Sequence, residues 1–193
     1  MKHGMTLALA LSAAIATPLA AQSFSDGFTL LKATRERDGA TAERILSNPS
    51  STAVNHRDPS TGEGVLHILV RGRDLSWLAF MLGRGARPDL GDRDGNTPLI
   101  LAAQIGWRDG AEQLLARGAS VNLGNSSGET PLIFAVRRRD LPMVRLLISQ
   151  RADPNQTDHS SGNSAIDYAR QDARSAIILR ELERPAPAAA PPR

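Results

Sequence analysis

Apolar positions come in short bursts along the middle of the chain. Leu99, Ala102 and Ala103 recur at three- and four-residue spacing, the period of one helix face. A second burst follows in Glu112–Ala116, where Leu114 and Leu115 sit together. Polar, glycine-bearing segments separate the bursts. The pattern predicts a turn, a short helix, a second short helix and a loop. The alanines are small, so neighbouring helices can approach closely.

This unit repeats. DGNTPLILAAQIG at 94–106 returns as SGETPLIFAVRRR at 127–139, 33 residues on. In that register Leu99 falls on Leu132, Ala102 on Ala135, Leu114-Leu115 on Leu147-Ile148, Ala119 on Ala152, and Asn122 on Asn155. One period earlier Gly64, Leu66, Leu69, Met81-Leu82, Gly85-Ala86 and Asp89 fill the same slots. One period later, with one residue inserted in the loop NQTDHSSGN, come Ser164, Ile166, Ala169 and Leu182. Leu30, Ala33 and Ile45-Leu46 fit a divergent first unit. Gly95 and Gly128 suit the positive φ of a tight turn. Thr97 and Thr130 suit N-caps, with Pro98 and Pro131 at the first helical position, where a missing N–H costs nothing. Gly106 and Gly118 suit helix ends.

The segment DGNTPLILAAQIGWRDGAEQLLARGASVN, residues 94–122, resembles an ankyrin repeat, and SGETPLIFAVRRRDLPMVRLLISQRADPN, residues 127–155, resembles the next copy. The Thr-Pro-Leu cap, the 33-residue period and the Gly-Ala-x-x-Asn ending carry the resemblance together, and it extends over about 27–183. It implies an all-α solenoid of stacked helix pairs with short β-hairpin or turn loops. The expected units are about 27–60, 61–93, 94–126, 127–160 and 161–183, within a repeat domain spanning 22–183. It further implies a non-catalytic scaffold that binds another protein through its concave face and loop tips. On this chain those positions are Arg71, Arg93, Asp94, Asn96, Gln104, Ser126, Glu129, Arg137, Arg138, His159 and Asn163. Trp107 stands where the family has a semi-exposed His, which makes it a further contact candidate, whereas Trp77 falls on a core slot.

Three residues depart from the family pattern. Gly110 replaces an aliphatic core residue, which predicts a weak second helix in that repeat. Arg151 takes the slot of Gly85 and Gly118, so a left-handed backbone there costs about 1–2 kcal/mol. Gly64 stands for the capping Thr and removes its side chain.

Composition adds constraints. Apolar residues make up 41% and aromatics only 4%, so Leu, Ile, Val and Ala must build the core. MKHGMTLALALSAAIATPLAAQS has a basic start, an apolar centre and a small-residue exit, the layout of a secretory signal peptide over 1–21, with cleavage after Ala21 or Ala20. The mature chain is then exported, into the periplasm of a Gram-negative source and otherwise secreted, with no membrane insertion after the leader is removed. Losing Lys2 takes the net charge from +3 to +2, which argues against general attraction to nucleic acid. With no cysteine there are no disulfides or thiolate sites. The Pro/Ala-rich segment 184–193 is expected to be a disordered tail.

Candidate chemistry is thin. GNSSG at 124–128 matches a nucleophile elbow around Ser126, which needs a strand before it, a helix after it and a nearby histidine and acid. The pentapeptide falls instead in a loop tip, and His56, His67 and His159 are scattered over repeat slots and loops. A hydrolase built on Ser126 is therefore the alternative reading. GDRDGN at 91–96 lacks the ligand spacing of a calcium loop. No metal or cofactor is expected. Arg71, Gln104, Arg137 and Gln171 share one slot late in the first helix, a ladder that Arg138 and Arg139 widen, and such a ladder favours carboxylate-bearing partners. Attraction of these arginines to an anionic surface is a further alternative.

Overall fold

A computed structural model describes residues 19–48 and 51–184. Most of the expected leader and nearly all of the expected tail therefore lie outside the described residues. Among the described residues the architecture is all-α, with ten α-helices arranged as five pairs. The pairs are α1 (Leu19–Glu36) with α2 (Gly39–Leu46), α3 (Val65–Arg71) with α4 (Leu75–Gly83), α5 (Pro98–Ile105) with α6 (Arg108–Ala116), α7 (Pro131–Arg137) with α8 (Leu141–Ser149), and α9 (Ala165–Gln171) with α10 (Ala176–Leu182). A 3-10 turn at Ala53–Asn55 follows α2, and another at Ala173–Ser175 precedes α10. Helix α1, described from Leu19 onward, runs across the expected cleavage site.

The first helices of the pairs stack as one inner layer, α1 on α3 on α5 on α7 on α9. The second helices α4, α6, α8 and α10 form an outer layer. Between the layers runs a continuous apolar interior. Leu66, Leu99 and Leu132 are 3%, 0% and 1% exposed, so the equivalent leucine of each repeat faces the same seam. Leu78, Met81, Leu114, Met143 and Leu147 close it from the outer helices. No single pair could bury this surface alone, because every helix after α1 is only about two turns long and would be marginal in water.

Caps and turns explain where each helix stops. The Thr97 and Thr130 hydroxyls accept from the Ile100 and Ile133 N–H groups at 3.2 and 3.3 Å, and Ser164 does the same for Asp167. Asp38, Asp74 and Asp140 cap the outer helices α2, α4 and α8. In α3, where Gly64 offers no side chain, the His67 ring compensates by accepting from the Gly64 N–H through Nδ1 at 3.2 Å. Its Nε2 donates to the Asn96 carbonyl at 2.8 Å, which fixes a neutral ring and ties repeat two to repeat three. Burial pushes the His67 pKa down, and the bond to the Asn96 carbonyl partly opposes that.

Left-handed residues follow the repeat. Gly62, Gly95, Gly128 and Gly162 turn the loop tips, and Gly106 closes α5 with φ 66°. Arg151 has φ 65° in the slot where Gly85 and Gly118 have 86° and 85°. Arginine is also left-handed at Arg37, Arg73 and Arg139, the slot that Gly106 fills in repeat three. Their side chains reach forward into the next repeat. Arg37 pairs with Asp74, Arg73 donates to the Ile105 carbonyl at 2.7 Å, and Arg139 pairs with Asp172.

The loop tips take the turn form of the two expected, and the reading of Trp107 needs correction. Among the described residues the loop tips are turns without strands, and one isolated bridge, Thr157 to Ser164, is the nearest approach to a hairpin ladder. Helix α6 is nine residues long, the same as α4 and α8, so Gly110 does not shorten it. Trp107 explains this. It is 7% exposed, and a Cβ built on Gly110 would meet its Cε3 at 2.1 Å. The indole thus occupies the volume that an aliphatic side chain at position 110 would fill. Trp107 is core, not a contact residue.

Candidate functional site

Apart from Asp94 and Arg138, the remaining candidate residues fall into three rows on the inner layer and the loop tips. The first row is Arg71, Gln104, Arg137 and Gln171, at the ends of α3, α5, α7 and α9. The second is Glu63, Asn96, Glu129 and Asn163, eight residues before each member of the first. Arg71 Nε donates to Glu63 at 2.8 Å, Arg137 pairs with Glu129, and Gln171 donates to Asn163 at 3.3 Å. Charged and amide residues alternate along both rows, and the Asn96 amide is held by Asp92 and Asn125. The two arginines are therefore locally neutralised, and exposed pairs of this kind stabilise by about 0–1 kcal/mol.

The third row is Arg93, Ser126 and His159, one at each successive tip. Each N–H donates to a carbonyl of the preceding tip: Arg93 to Thr61 at 3.1 Å, Ser126 to Asp94 at 2.9 Å, His159 to Ser127 at 2.8 Å. The tips are therefore stitched into one rim. The stitching leaves no room beneath it, since a Cβ on Gly128 would meet the His159 ring at 2.7 Å. Each tip is also organised from within by Asp58, Asp92, Asn125 or Asp158, whose side-chain oxygen accepts from the turn N–H groups. The Ser60 hydroxyl and N–H, with the Arg35 guanidinium, hold Asp58 far below the usual carboxylate range. The Tyr168 hydroxyl and the Ser161 N–H and hydroxyl do the same for Asp158.

Arg138 stands apart from the rows. Its guanidinium lies over Gly106, where a Cβ would meet Nη2 at 3.0 Å. Ser126 lies in a tip without a preceding strand, and the next helix starts only after the Thr130 cap. Among the described residues its hydroxyl has no hydrogen bond to a histidine, so the elbow geometry is missing. No group of His, Asp and Glu among the described residues could hold a metal ion, and no helix there is long and apolar enough to cross a membrane.

Sequence reasoning overlooked a fourth row. Ile68, Leu101, Phe134 and Tyr168 sit two residues after the seam leucine or isoleucine of each repeat, on the same inner helices. Leu101 is buried, and the other three are half-buried against the core. The Arg137 guanidinium carbon lies 6.0 Å from the Phe134 ring centroid and 5.6 Å from that of Tyr168. The fixed offset from Leu66, Leu99, Leu132 and Ile166 was the available signal.

Residues 66–158 match the family model for ankyrin repeats in three copies. This stretch is an ankyrin-repeat array, and the helix pairs on either side of it continue the same stack. Ankyrin arrays are in general protein-binding scaffolds without catalysis of their own. Over 94 residues, 47% of its length, the chain is 35% identical to oxysterol-binding protein homolog 1 of Saccharomyces cerevisiae. The matched stretch spans only 7% of that protein.

Proposed function

We propose that the chain is an exported, non-catalytic scaffold that holds a partner protein of the cell envelope against its inner face and loop tips. The observation that carries this reading is the row Ile68, Leu101, Phe134 and Tyr168. It is a line of apolar side chains, three of them half open to solvent, flanked by the Arg71–Glu63 and Arg137–Glu129 pairs. Large, partly exposed rings beside a preoriented arginine are the residue types that dominate binding energy at interfaces. The rim is rigid before binding, so association loses little ordering entropy. Because Arg71 and Arg137 already have acidic partners, the apolar row contributes affinity and the charged pairs set register. The partner offers apolar side chains to Phe134 and Tyr168 and polar groups to Asn96 and Gln104.

The basic, apolar and small-residue order of residues 1–21 supports export. The test is a cross-linked pull-down of the mature chain from its own cell envelope, comparing wild type with Phe134→Ala/Tyr168→Ala and with Arg71, Arg137 and Arg138 changed to Glu. Loss of the same partner in both sets supports the inner face. An unchanged partner set in both moves the contact elsewhere.

A further inference from the structure

The arginines of this chain divide by location. Those of the inner face and of the turns between paired helices mostly have acidic partners, as in Arg35–Asp58, Arg37–Asp74, Arg71–Glu63, Arg137–Glu129 and Arg139–Asp172. On the loops that leave the outer helices the pattern reverses. Arg84, Arg87, Arg117 and Arg151 are exposed, and none forms an ion pair among the described residues. Asp89 and Asp153 lie on the same loops. Asp89 is engaged by the Ser120 N–H and hydroxyl, and Asp153 accepts from the Asn155 N–H at 2.9 Å.

The loops hold one another in place. Asn55 donates to the Gly85 carbonyl at 3.2 Å and accepts from the Arg87 N–H at 2.8 Å. Asn122 donates to the Arg151 carbonyl at 3.2 Å and accepts from the Asp153 N–H at 2.8 Å. Three consecutive outer helices thus each present an arginine at their C-terminal end, one repeat apart, on a braced edge. Packed helices lie about 8–10 Å apart.

Local contacts account for Arg84 and Arg117, which sit at relaxed C-caps with φ of −93° and −103°, where a cation suits the helix dipole. The Arg84 guanidinium also lies 4.9 Å from the Phe80 ring centroid and donates to the Leu46 carbonyl at 3.4 Å. Such contacts do not account for Arg151. In repeat four the C-cap is Gln150, and the arginine takes the next position, at φ 65°, where the two preceding repeats have glycine. The row is continued at a strained position, and strain kept in this way points to use.

We propose that this edge is a peripheral contact for the phosphate groups of an anionic phospholipid surface. Guanidinium forks match phosphate oxygens in pairs, and a row of them repeated along one edge suits a plane of headgroups better than a single acidic side chain. Leu123 supports a lipid source. It is 41% exposed on the loop that follows Arg117, an apolar side chain of the kind that enters the headgroup boundary. The inner face stays free for a protein partner.

The test is co-sedimentation of the full chain with vesicles of phosphatidylcholine alone and with vesicles rich in phosphatidylglycerol. The neutral vesicles subtract any contribution of the apolar segment near the N-terminus. The expected result is preferential binding to anionic vesicles that weakens with salt and falls about fivefold for each of Arg84, Arg117 and Arg151 changed to Gln. Arg151→Gly separates use from structure, because it should raise the melting temperature while lowering vesicle affinity. Arg71→Gln/Arg137→Gln, on the inner face, should leave vesicle binding unchanged. Equal binding by the triple variant, no preference for anionic vesicles, or retention only by an immobilised polyglutamate resin would overturn the proposal.

Discussion

Replacing Gly110 by alanine tests the packing account at its most specific point. By helix propensity alone, alanine in the interior of α6 should stabilise the chain by about 1 kcal/mol. The structure predicts the opposite sign. A methyl carbon at position 110 would lie 2.1 Å from Trp107 Cε3 and 2.3 Å from Cζ3, so the indole cannot stay where it is. Expelling a buried Trp side chain costs about 3–5 kcal/mol, the range measured when such a residue is deleted from a core. The net effect is then a loss of about 2–4 kcal/mol. For a chain of this size that lowers the melting temperature by about 4–16 °C. Circular dichroism melts give the stability. Fluorescence in a Trp77→Phe background isolates Trp107, whose emission should shift to the red as the ring enters water. In a Trp107→Ala background, where the ring is gone, Gly110→Ala should become neutral or stabilising. A more stable Gly110→Ala single variant with unshifted emission would refute the idea that glycine is there to admit the indole.

Other consequences follow from the same geometry. The folded His67 pKa lies below its ordinary 6.5, so its contribution to stability is fully present above that pH and is lost as pH falls through the folded value; urea midpoints of wild type should drop between pH 7 and 5, and those of His67→Ala should not. Asp58 and Asp158 have depressed pKa values, so the tips should hold until well below pH 4, which hydrogen exchange of the tip amides at low pH would report. Gly128→Ala combines a left-handed backbone at φ 75° with a clash against the His159 ring, and should cost about 2–3 kcal/mol in a denaturant titration. Deleting Glu129 with Arg137 in a double-mutant cycle should give a coupling of no more than about 1 kcal/mol, because both side chains are partly exposed.

The stack was legible in the sequence because its punctuation is backbone chemistry. Gly95 and Gly128 announce left-handed turns, Thr97-Pro98 and Thr130-Pro131 announce helix starts, and the leucine slots fix the register. Three features escaped that kind of reading. Trp107 and Gly110 each look anomalous in their own slot, and only as a pair do their volumes compensate. Arg37, Arg73 and Arg139 adopt a left-handed backbone that carries no glycine signal. The partners of Arg71 and Arg137 lie eight residues back, across the loop tip, where helical spacing rules do not reach. For the same reason the arginine slot read as a basic ladder, although two of its cations are paired and the apolar row beside it is the more distinctive surface. Partner identity leaves no local mark, because a binding face is polar or apolar for the sake of something outside the chain.

Site-specific photo-cross-linking in the native cell envelope tests the central claim most directly. A photoreactive side chain at Phe134 faces the inner surface, and one at Glu112 lies on the exposed side of outer helix α6. The account expects one discrete protein adduct from position 134, lost when Tyr168 is changed to Ala, and none from position 112. An adduct from position 112 with none from position 134 would contradict it.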